Sequence, residues 1–368
     1  MGTEGQQVFA VTGATGFLGA HLLRRLLGDG HSVRMLVRAR HADAVLLDGL
    51  DEEQRARCAV VVGDINDGRR VRELLRVPGA GGAEPAAVDG VFHLAGVVRH
   101  TRRRAMVEET MRVNVDGAMQ VVRSSAEAGV PRCVVASTSG TVAVRRAGAP
   151  GGAAGPARGY AEEATRRWPY YVSKIEMEKR IQEFVRAAPA GPAVVFVRPS
   201  LLLGPGDVNL SSCGTVDELV REALPLVPSG SLNFVDVRDA ADATAAAMYR
   251  GAPGGAYLLG AANMATADFF AEVAGRAGVR APSLRLPTWL TVALAALADA
   301  ALRALRMWRP ALDPVLAEMG AADWRFDEAA ERFDEAAASA ADDLGFSPRA
   351  WGETIDDTIA WLRRRGGG

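Results

Sequence analysis

Lysine is nearly absent from this chain: Lys174 and Lys179 are the only lysines among 43 basic residues. A lysine that remains in such a chain is therefore a candidate for chemistry that arginine cannot perform. Cysteine is scarce too, and Cys58, Cys133 and Cys213 have no disulfide or metal-binding spacing, which favours inert core thiols in a reducing, cytoplasmic setting. An excess of one charge is also missing. The formal net charge of −1 gives no reason to expect a nucleic-acid partner.

Long hydrophobic runs are missing as well, so we expect no integral membrane span. Residues 288–308 come nearest to one. Charges at Asp299, Arg303 and Arg306 interrupt that run before it reaches the ~20 apolar residues that a bilayer requires. The segment predicts a buried or substrate-covering helix, with peripheral membrane contact or a dimer face as alternatives. Residues 1–6 are polar and contain no secretory signal.

The most informative stretch lies near the amino terminus, where a short apolar run precedes three regularly spaced glycines. Val8–Val11 predicts a buried strand. The glycines are Gly13, Gly16 and Gly19, and a helical pattern begins at Phe17. Strand, glycine turn and helix together present a helix N-terminus and free backbone N–H groups to a pyrophosphate. The spacing is GxxGxxG rather than GxGxxG, and its place between strand and helix indicates a dinucleotide site.

Strand patterns alternate with helical ones over residues 1–198, which predicts a Rossmann-type α/β fold with a doubly wound parallel sheet. Six strands are expected, at Val8–Val11, His31–Val37, Cys58–Val62, Val88–Leu94, Pro131–Ala136 and Ala193–Val197. Long helices are expected at Met106–Ala128 and Tyr170–Ala187, and loops at Pro78–Ala87 and Arg145–Gly159.

The domain organisation follows from the same pattern. Residues 1–198 are expected to form an NAD(P)-binding Rossmann domain, and residues 199–368 a smaller carboxy-terminal substrate-binding lobe. Leu232–Val237 and Ala256–Gly260 are further candidate strands. The region 232–260 is expected to return to the main sheet, through the first of these two strands.

A tyrosine and a lysine on one helix carry the clearest chemical signal. Tyr170 and Lys174 are four residues apart on a predicted helix, so both side chains project from one face. A free phenol has a pKa of ~10, and a nearby cation is expected to lower that pKa toward the range where general acid–base catalysis works best. The hydroxyl cluster 137–141 follows the fifth predicted strand, at the sheet edge where ligands bind. One of its hydroxyls could hold a substrate oxygen against Tyr170, or the cluster is an ordinary Ser/Thr turn.

The glycine turn, the hydroxyl cluster and the Tyr170/Lys174 pair, in this order, resemble the extended short-chain dehydrogenase/reductase family of the NAD-dependent epimerase/dehydratase superfamily. The resemblance continues along nearly the whole chain, at Gly63–Ile65, His93–Gly96, Asn114–Gly117, Arg198–Ser200, Gly204–Asp207 and Phe234–Asp239. This combination is specific for the family and much less specific for the substrate.

The resemblance implies an enzyme in which a hydride passes between a nicotinamide and a carbonyl carbon while Tyr170 protonates the carbonyl oxygen. Ser139, with Thr138 as the fallback, would polarise that oxygen, and Lys174 would hold the ribose and tune the tyrosine. No metal is implied. The residues that the resemblance assigns to the cofactor are Gly13, Thr15, Gly16, Phe17, Leu18, Gly19, Arg38, Asp64, Ile65, Leu94, Ala95, Gly96, Asn114, Tyr170, Lys174 and Pro199.

The end of the second predicted strand favours NADP(H) over NAD(H). Relatives that prefer NAD place an acid there, which accepts a hydrogen bond from the ribose 2′-hydroxyl. Here Arg38 follows Val37, and no acid occurs before Asp43. Because a planar guanidinium can pair a 2′-phosphate through two hydrogen bonds, Arg38 suits NADP(H). NAD(H), with solvated surface arginines, remains the alternative.

Three functions fit this sequence. The first is a carbonyl reductase similar to dihydroflavonol reductases and hydroxysteroid dehydrogenases, acting on a bulky apolar small-molecule ketone or alcohol. The second is a nucleotide-sugar epimerase or dehydratase that holds NAD tightly. The third is a catalytically silent NADP-binding scaffold, which has no need of the Ser139/Tyr170/Lys174 set. Family resemblance further implies that a homodimer can form. The basic residues Arg99, His100 and Arg102–Arg104 follow the fourth predicted strand and could reach the mouth of the pocket, but they are expected to form an exposed turn outside the site.

Overall fold

The computed structural model describes residues 5–38, 47, 49–79, 84–146, 159–305, 307, 313–326 and 339–366. Twelve strands lie in these ranges: β1 (Val8–Thr12), β2 (Ser32–Val37), β3 (Cys58–Val62), β4 (Arg76–Val77), β5 (Ala86–Ala87), β6 (Gly90–His93), β7 (Arg132–Ala136), β8 (Ala193–Pro199), β9 (Leu201–Leu203), β10 (Ser231–Asp236), β11 (Ala256–Leu259) and β12 (Ala262–Ala265). The α-helices are Phe17–Gly28, Glu52–Ala56, Gly68–Leu74, Arg104–Met111, Ala118–Ala128, Glu162–Thr165, Pro169–Ala187, Gly214–Val220, Val237–Arg250, Thr266–Ala277, Thr288–Ala304, Pro314–Gly320, Ala340–Leu344 and Trp351–Gly366.

Seven strands form the main sheet, in the order β11-β8-β7-β6-β1-β2-β3, and all neighbours are parallel. The strand order reverses at β1, with β2 on one side and β6 on the other. Reversal of this kind leaves a crevice at the carboxyl ends of the two central strands. The predicted Rossmann-type α/β fold and its doubly wound parallel sheet are therefore confirmed.

Helices cover both faces of this sheet, and consecutive residues of β1 point to opposite sides of it. Phe9 and Val11 enter a core shared with helices Phe17–Gly28 and Val237–Arg250. Ala10 enters a second core on the other face, shared with helices Ala118–Ala128 and Pro169–Ala187. Burial on both faces explains why the strands are nearly continuous apolar runs rather than alternating ones.

Residues beyond β8 build a second, smaller sheet of β12, β10 and β9. β10 pairs parallel with β9 and antiparallel with β12, and it has no place in the main sheet. The expectation that Leu232–Val237 returns to the main sheet is therefore wrong. The strand that returns is β11, which pairs with β8. The two regions cannot be told apart by apolar pattern alone, since each is a short buried run.

The two predicted loops are described only in part. Residues 80–83 and 147–158 lie outside the described ranges. Within the first loop, Ala86–Ala87 forms a short antiparallel pair with Arg76–Val77, where no strand was expected. The predicted long helix Met106–Ala128 is present as one helical run, but its middle, Arg112–Gly117, is a π-helical segment.

Helix Thr288–Ala304 is exposed rather than buried, contrary to expectation. Its only buried residue is Asp299, while Trp289 and Leu297 are 71% and 69% exposed. Across the described residues, no helix combines the length and apolarity that crossing a membrane requires. The segment therefore presents an apolar face to its surroundings without being able to span a bilayer.

The three cysteines are free thiols, as expected. Burial raises the pKa of Cys133 to about 12 and also raises the pKa values of Cys58 and Cys213. Because the thiolate is the reactive form, these raised pKa values make all three thiols poor nucleophiles.

Candidate active site

A cleft of about 600 Å³ opens at the crevice between the carboxyl ends of β1 and β6. The predicted site residues that line it are Gly13, Thr15, Gly16, Phe17, Leu18, Gly19, Arg38, Asp64, Ile65, Leu94, Ala95, Gly96, Ser139, Tyr170, Lys174 and Pro199. These residues come from seven segments of the chain that are separated in sequence. Asn114 belongs to the same predicted set but does not line the cleft.

The glycine turn after β1 is packed so closely against its neighbours that a side chain at two of its three glycines would clash with the backbone. Gly13 has φ +77°, and a Cβ there would lie 2.6 Å from the backbone nitrogen of Ala95. A Cβ on Gly19 would lie 2.1 Å from the carbonyl oxygen of Gly13. Helix Phe17–Gly28 begins at Gly16 without a side-chain cap and without an acid in its first turn. Its first backbone N–H groups and its positive dipole end are thus available to an anion.

Asn114 connects the loop after β6 to the tyrosine helix through hydrogen bonds. Its Oδ1 accepts a hydrogen bond from the Val97 backbone nitrogen at 2.7 Å, and its Nδ2 donates to Ser173 Oγ at 2.9 Å. Ser173 Oγ donates in turn to the carbonyl oxygen of Tyr170 at 2.6 Å. Asn114 is fully buried in the π segment. These hydrogen bonds position the loop after β6 and the first turn of the tyrosine helix.

Tyr170, Lys174 and Ser139 meet in the same cleft. Tyr170 is the second residue of helix Pro169–Ala187, and Lys174 follows one turn later on the same face. Lys174 Nζ donates to the carbonyl oxygen of Ala136, at the end of β7, at 2.8 Å. Ser139 begins a 3₁₀ turn directly beyond that strand. The tyrosine helix and the carboxyl edge of the sheet are therefore joined by the lysine itself.

The pKa values of this pair differ from the expectation. Burial raises the pKa of Tyr170, and Lys174 does not counteract that rise. Burial also lowers the pKa of Lys174 from 10.5 to about 8, while Glu178 raises it. The predicted lowering of the tyrosine pKa by the lysine is thus corrected: burial raises that pKa, and the Lys174 ammonium donates its hydrogen bond to the Ala136 carbonyl. In this state Tyr170 is a neutral phenol, which is the form that donates a proton.

The hydroxyls of this cluster differ in their hydrogen bonds to the rest of the protein. Thr138 Oγ1 accepts from the backbone nitrogen of Gly140 at 3.4 Å, and Ser137 Oγ donates to the carboxylate of Glu178. Thr141 Oγ1 donates to the Thr138 carbonyl at 3.0 Å. Ser139 Oγ has no hydrogen-bond partner in the described part of the chain.

A buried ion pair supports this cluster. Glu178 and Arg198 are 0% and 2% exposed at their side chains and bond to each other through both carboxylate oxygens. Tyr160 also donates to Glu178, at 3.0 Å. Because removing one partner of such a pair leaves an uncompensated buried charge, the pair holds β8, the tyrosine helix and the hydroxyl cluster in one arrangement.

The far end of the cleft holds two arginines and one acid. Arg38 is exposed at the end of β2, and Arg112 approaches Asp64 with a nitrogen–oxygen distance of 4.0 Å. Asp64 Oδ1 accepts from the backbone nitrogen and the side-chain amide of Asn66, both at 2.8 Å, and these hydrogen bonds with the two arginines lower its pKa. Ile65 packs against Gly117, where a Cβ would lie 2.4 Å from its Cδ1.

An aromatic wall, formed by His100, Tyr171 and Trp324, was not foreseen from the sequence. The rings of His100 and Tyr171 stack with centroids 5.9 Å apart, and those of Tyr171 and Trp324 lie 5.1 Å apart. All three residues line the cleft. Trp324 lies far along the chain from the tyrosine helix, so no local pattern could have placed it there.

The basic run after β6 is only partly the exposed turn that the sequence predicts: Arg104 is exposed, but the other residues of the run are partly buried. Arg99 pairs with Glu109, Arg102 with Glu318 and Arg103 with Asp299. These ion pairs pull the run inward and carry His100 into the cleft. Burial lowers the pKa of His100 to about 4, and its Nδ1 has no hydrogen-bond partner within the described ranges. The only sequence signal for this role was its position after a central strand.

The chain is similar in sequence and in fold to known proteins. A model of the NAD dependent epimerase/dehydratase family matches residues 9–260. A Synechocystis sp. protein, provisionally named dihydroflavonol 4-reductase, is 28% identical over 364 residues, covering 97% of this chain and 95% of that protein. Sterol demethylase protein B of Methylococcus capsulatus is 28% identical over 363 residues, covering 97% and 98%. The solved structure of gox2253 is 26% identical, with a TM-score of 0.76 over 98% of this chain and 99% of that one.

No metal centre is indicated in the described residues, where no group of three or more His, Cys, Asp or Glu side chains could hold an ion. The groups that line the cleft are instead those of a nicotinamide dinucleotide site. They comprise a glycine turn that a Cβ would obstruct, an uncapped helix N-terminus and a buried lysine beside a tyrosine. The residues present therefore fit the cofactor that the family binds.

Proposed function

The chain belongs to the NAD dependent epimerase/dehydratase family, and from the residues of its cleft we propose an NADP(H)-dependent oxidoreductase. It interconverts a ketone or aldehyde and an alcohol on a bulky, largely apolar small molecule. The observation that carries this proposal is the shared cleft of Ser139, Tyr170 and Lys174, closed on one side by the aromatic wall. An NAD(P)-dependent enzyme follows from the family, while NADP(H) and the substrate class are the finer proposal.

The chemistry divides among three side chains. A bound nicotinamide cofactor supplies the hydride to the substrate carbonyl, or accepts it in the reverse direction. Tyr170, a neutral phenol with a raised pKa, donates its proton to the carbonyl oxygen. Ser139 Oγ, free of protein partners in the described residues, donates a hydrogen bond to the same oxygen and orients it. Lys174, with a pKa of about 8, is protonated near neutral pH and holds the cofactor ribose.

Arg38 supports the choice of NADP(H). It lies at the end of β2 and lines the cleft, next to the segment Gly63–Ile65. A guanidinium there meets a 2′-phosphate with charge-assisted hydrogen bonds, which are stronger than neutral ones. The acid that NAD-preferring relatives place at this point is replaced by this arginine. Residues 39–46, which include the next acid, Asp43, lie outside the described ranges.

The aromatic wall supports a bulky, apolar substrate. Met319, Leu201, Leu202 and Leu232 line the cleft together with the wall residues Tyr171 and Trp324. Apolar and aromatic surfaces of this kind bind ring systems through burial and ring contacts. The two relatives compared above are named for a dihydroflavonol and for a sterol, which are both bulky ring compounds.

A nucleotide-sugar epimerase or dehydratase is the second candidate, and the family name favours it. Its substrate carries a diphosphate, which needs cations in the substrate-binding part of the cleft. Among the described residues beyond 198, no lysine or arginine lines the cleft. That charge distribution favours an uncharged substrate. The third candidate, a silent scaffold, has no use for the intact Ser139/Tyr170/Lys174 set.

The test is to identify any nucleotide that stays bound through purification and then to titrate the emptied protein with NADPH and NADH. We expect NADPH to bind at least ~10-fold more tightly, which corresponds to about 1.4 kcal/mol. A panel of bulky ketones should then show turnover that Tyr170→Phe lowers about 100-fold or more while NADPH still binds. Stoichiometric NAD retained by the purified protein would contradict the proposal and favour the epimerase or dehydratase. Binding of neither nucleotide would contradict all three candidates, since each of them binds NAD(H) or NADP(H).

A further inference from the structure

Helix Thr288–Ala304 lies on the surface with its apolar side chains turned outward. Its outward side chains are apolar, and with the residues just beyond it the exposed set is Trp289, Leu294, Leu297, Leu305 and Met307, which are 71%, 47%, 69%, 68% and 44% exposed. An ordinary surface helix turns its apolar stripe toward the core and its charges toward water. Here the only buried residue of the helix is an acid, Asp299, which is 5% exposed.

The inward face of this helix is held by charge, so the apolar face cannot simply turn inward. Asp299 Oδ1 accepts from Arg103 at 2.8 Å, and Oδ2 accepts from Arg303 at 2.6 Å. Arg103 also donates to the carbonyl oxygen of Met307 at 3.1 Å. Rotating the helix to bury Leu297 would remove Asp299 from Arg103 and break the ion pairs that hold the inward face. The outward apolar surface is therefore a fixed feature of this packing.

The exposed charged residues within the chain segment 279–305, which contains this helix, are all arginines. Arg280 and Arg285 are exposed before the helix, and Arg303 is exposed near its end. Between residues 279 and 305 the only acid is the buried Asp299. A second copy of this chain, docked through the same face about a two-fold axis, would bring arginine to arginine with no exposed acid between them. A bilayer with anionic headgroups supplies both the apolar interior and the negative charge that this surface lacks.

We infer that the outer face of helix Thr288–Ala304 binds the surface of an anionic lipid bilayer, with Trp289, Leu294 and Leu297 in the acyl boundary and the arginines at the headgroups. A helix of this length covers about 25 Å, lying in the plane of the interface. The loop after β6 joins this surface to the cleft, because Val98 lines the cleft while Arg103 holds Asp299. The lipid-binding face is thus separated from the aromatic wall of the cleft by one short loop.

Vesicle flotation of the full chain tests the inference. We expect flotation with phosphatidylcholine vesicles that contain phosphatidylglycerol, a loss of flotation at high salt, and weaker flotation with phosphatidylcholine alone. The double variant Trp289→Ser/Leu297→Ser should bind at least ~10-fold more weakly, because it removes two large apolar side chains from the surface that enters the bilayer. The matched control is Val208→Ser, which removes another apolar side chain, 51% exposed, and should float like the parent protein.

Light scattering of the same proteins separates lipid from self-association. A monomeric parent that floats supports the inference, as does a double variant that keeps its NADPH affinity and circular dichroism but no longer floats. A parent dimer that the double variant converts to a monomer, without flotation of either, would overturn the inference in favour of a second copy. Failure of the parent to float with any vesicle would overturn it too, and equal flotation with neutral vesicles would overturn the role of the arginines.

Discussion

The rings of His100 and Tyr170 meet nearly at right angles, with their planes at 88° and their centroids 5.5 Å apart. This contact brings the residue expected in an exposed basic turn against the proposed proton donor. His100 reaches it because the ion pairs on either side of it draw the loop after β6 into the fold. Its lowered pKa of about 4 keeps the imidazole neutral at any pH where the enzyme is expected to work.

His100→Phe should keep the ring contact with Tyr170 and remove the ring nitrogens. If Nδ1, which lacks a partner in the described residues, binds the substrate, KM should rise about fivefold, the equivalent of one hydrogen bond, with kcat nearly unchanged. Steady-state kinetics on an active ketone from the panel measures both constants. His100→Asn, whose amide can replace Nδ1, should recover part of the loss. An inflection near pH 6.5 that disappears in His100→Phe would contradict a neutral imidazole.

Lys174 should make the ligand-free protein more stable as the pH rises from about 8 to 10. Folding lowers the Lys174 pKa from 10.5 to about 8, so in this window the unfolded chain holds a proton that the folded chain has lost. The unfolded state binds more protons, and the free energy of unfolding therefore increases with pH, by about 2 kcal/mol from this residue.

The measurement is urea unfolding of the parent protein and of Lys174→Met at a series of pH values, without nucleotide. Other groups oppose the trend, because burial raises the pKa values of Tyr170 and Cys133. The informative quantity is therefore the difference between the two proteins, in which those groups cancel. A difference that stays constant from pH 7 to 10 would show that the lysine keeps its ordinary pKa in the fold.

Arg38→Ser should weaken the binding of NADPH but not that of NADH. We expect NADPH to bind about 10- to 100-fold more weakly, since hydrogen bonds to a charged group contribute about 1.5–3 kcal/mol, while NADH affinity changes little. Arg69→Ser, which removes an exposed arginine from a neighbouring helix outside the cleft, is the control and should change neither. Equal losses for both nucleotides would assign Arg38 to a part of the cofactor that both share.

Two glycines of the same turn should respond differently to alanine. Gly19→Ala places a Cβ 2.1 Å from a backbone carbonyl oxygen and should destabilise the fold by about 2 kcal/mol or more. Gly16→Ala meets that same oxygen, of Gly13, only at 3.2 Å, so the protein should fold, with NADPH binding weakened about 10-fold by a methyl group at the phosphate site.

Urea unfolding and NADPH titration of both variants check this pair. Gly28→Ala is the control, since a Cβ there has nothing within 4 Å and the substitution should be neutral or slightly stabilising. A Gly16→Ala protein with undiminished NADPH affinity would place the phosphates elsewhere than at this helix N-terminus.

The sequence predicted what depends on local pattern. The strand–glycine–helix unit is contiguous in the chain, and Tyr170 and Lys174 are one helical turn apart, so their joint orientation follows from helix geometry alone. The parallel sheet also followed, because alternating strands and helices have few other ways to bury both faces of each strand. The cleft residues that these units carry were found for that reason.

What the sequence did not predict depends on tertiary contacts. β10 and β11 are both short apolar runs, and only the positions of β9 and β8 decide which of the two enters the main sheet. Trp324 joins the aromatic wall from a distant segment. The pKa of Tyr170 is set by how deeply the phenol is buried, which the spacing to Lys174 does not reveal. The outward face of helix Thr288–Ala304 depends on the Asp299–Arg103 ion pair, whose partners are far apart in the chain.

The π-helical segment Arg112–Gly117 makes the number of residues between its two flanking helices important, as well as their identity. It accommodates one residue more than a regular α-helix would hold in the same rise. Deleting a single residue there would let an unbroken α-helix form with helices Arg104–Met111 and Ala118–Ala128 in nearly their present orientation, and would turn the side chains of the segment itself to new directions. Asn114 would then no longer face Val97 and Ser173 together. In natural variation of this gene, codon changes in the segment should be far better tolerated than the loss or gain of one codon.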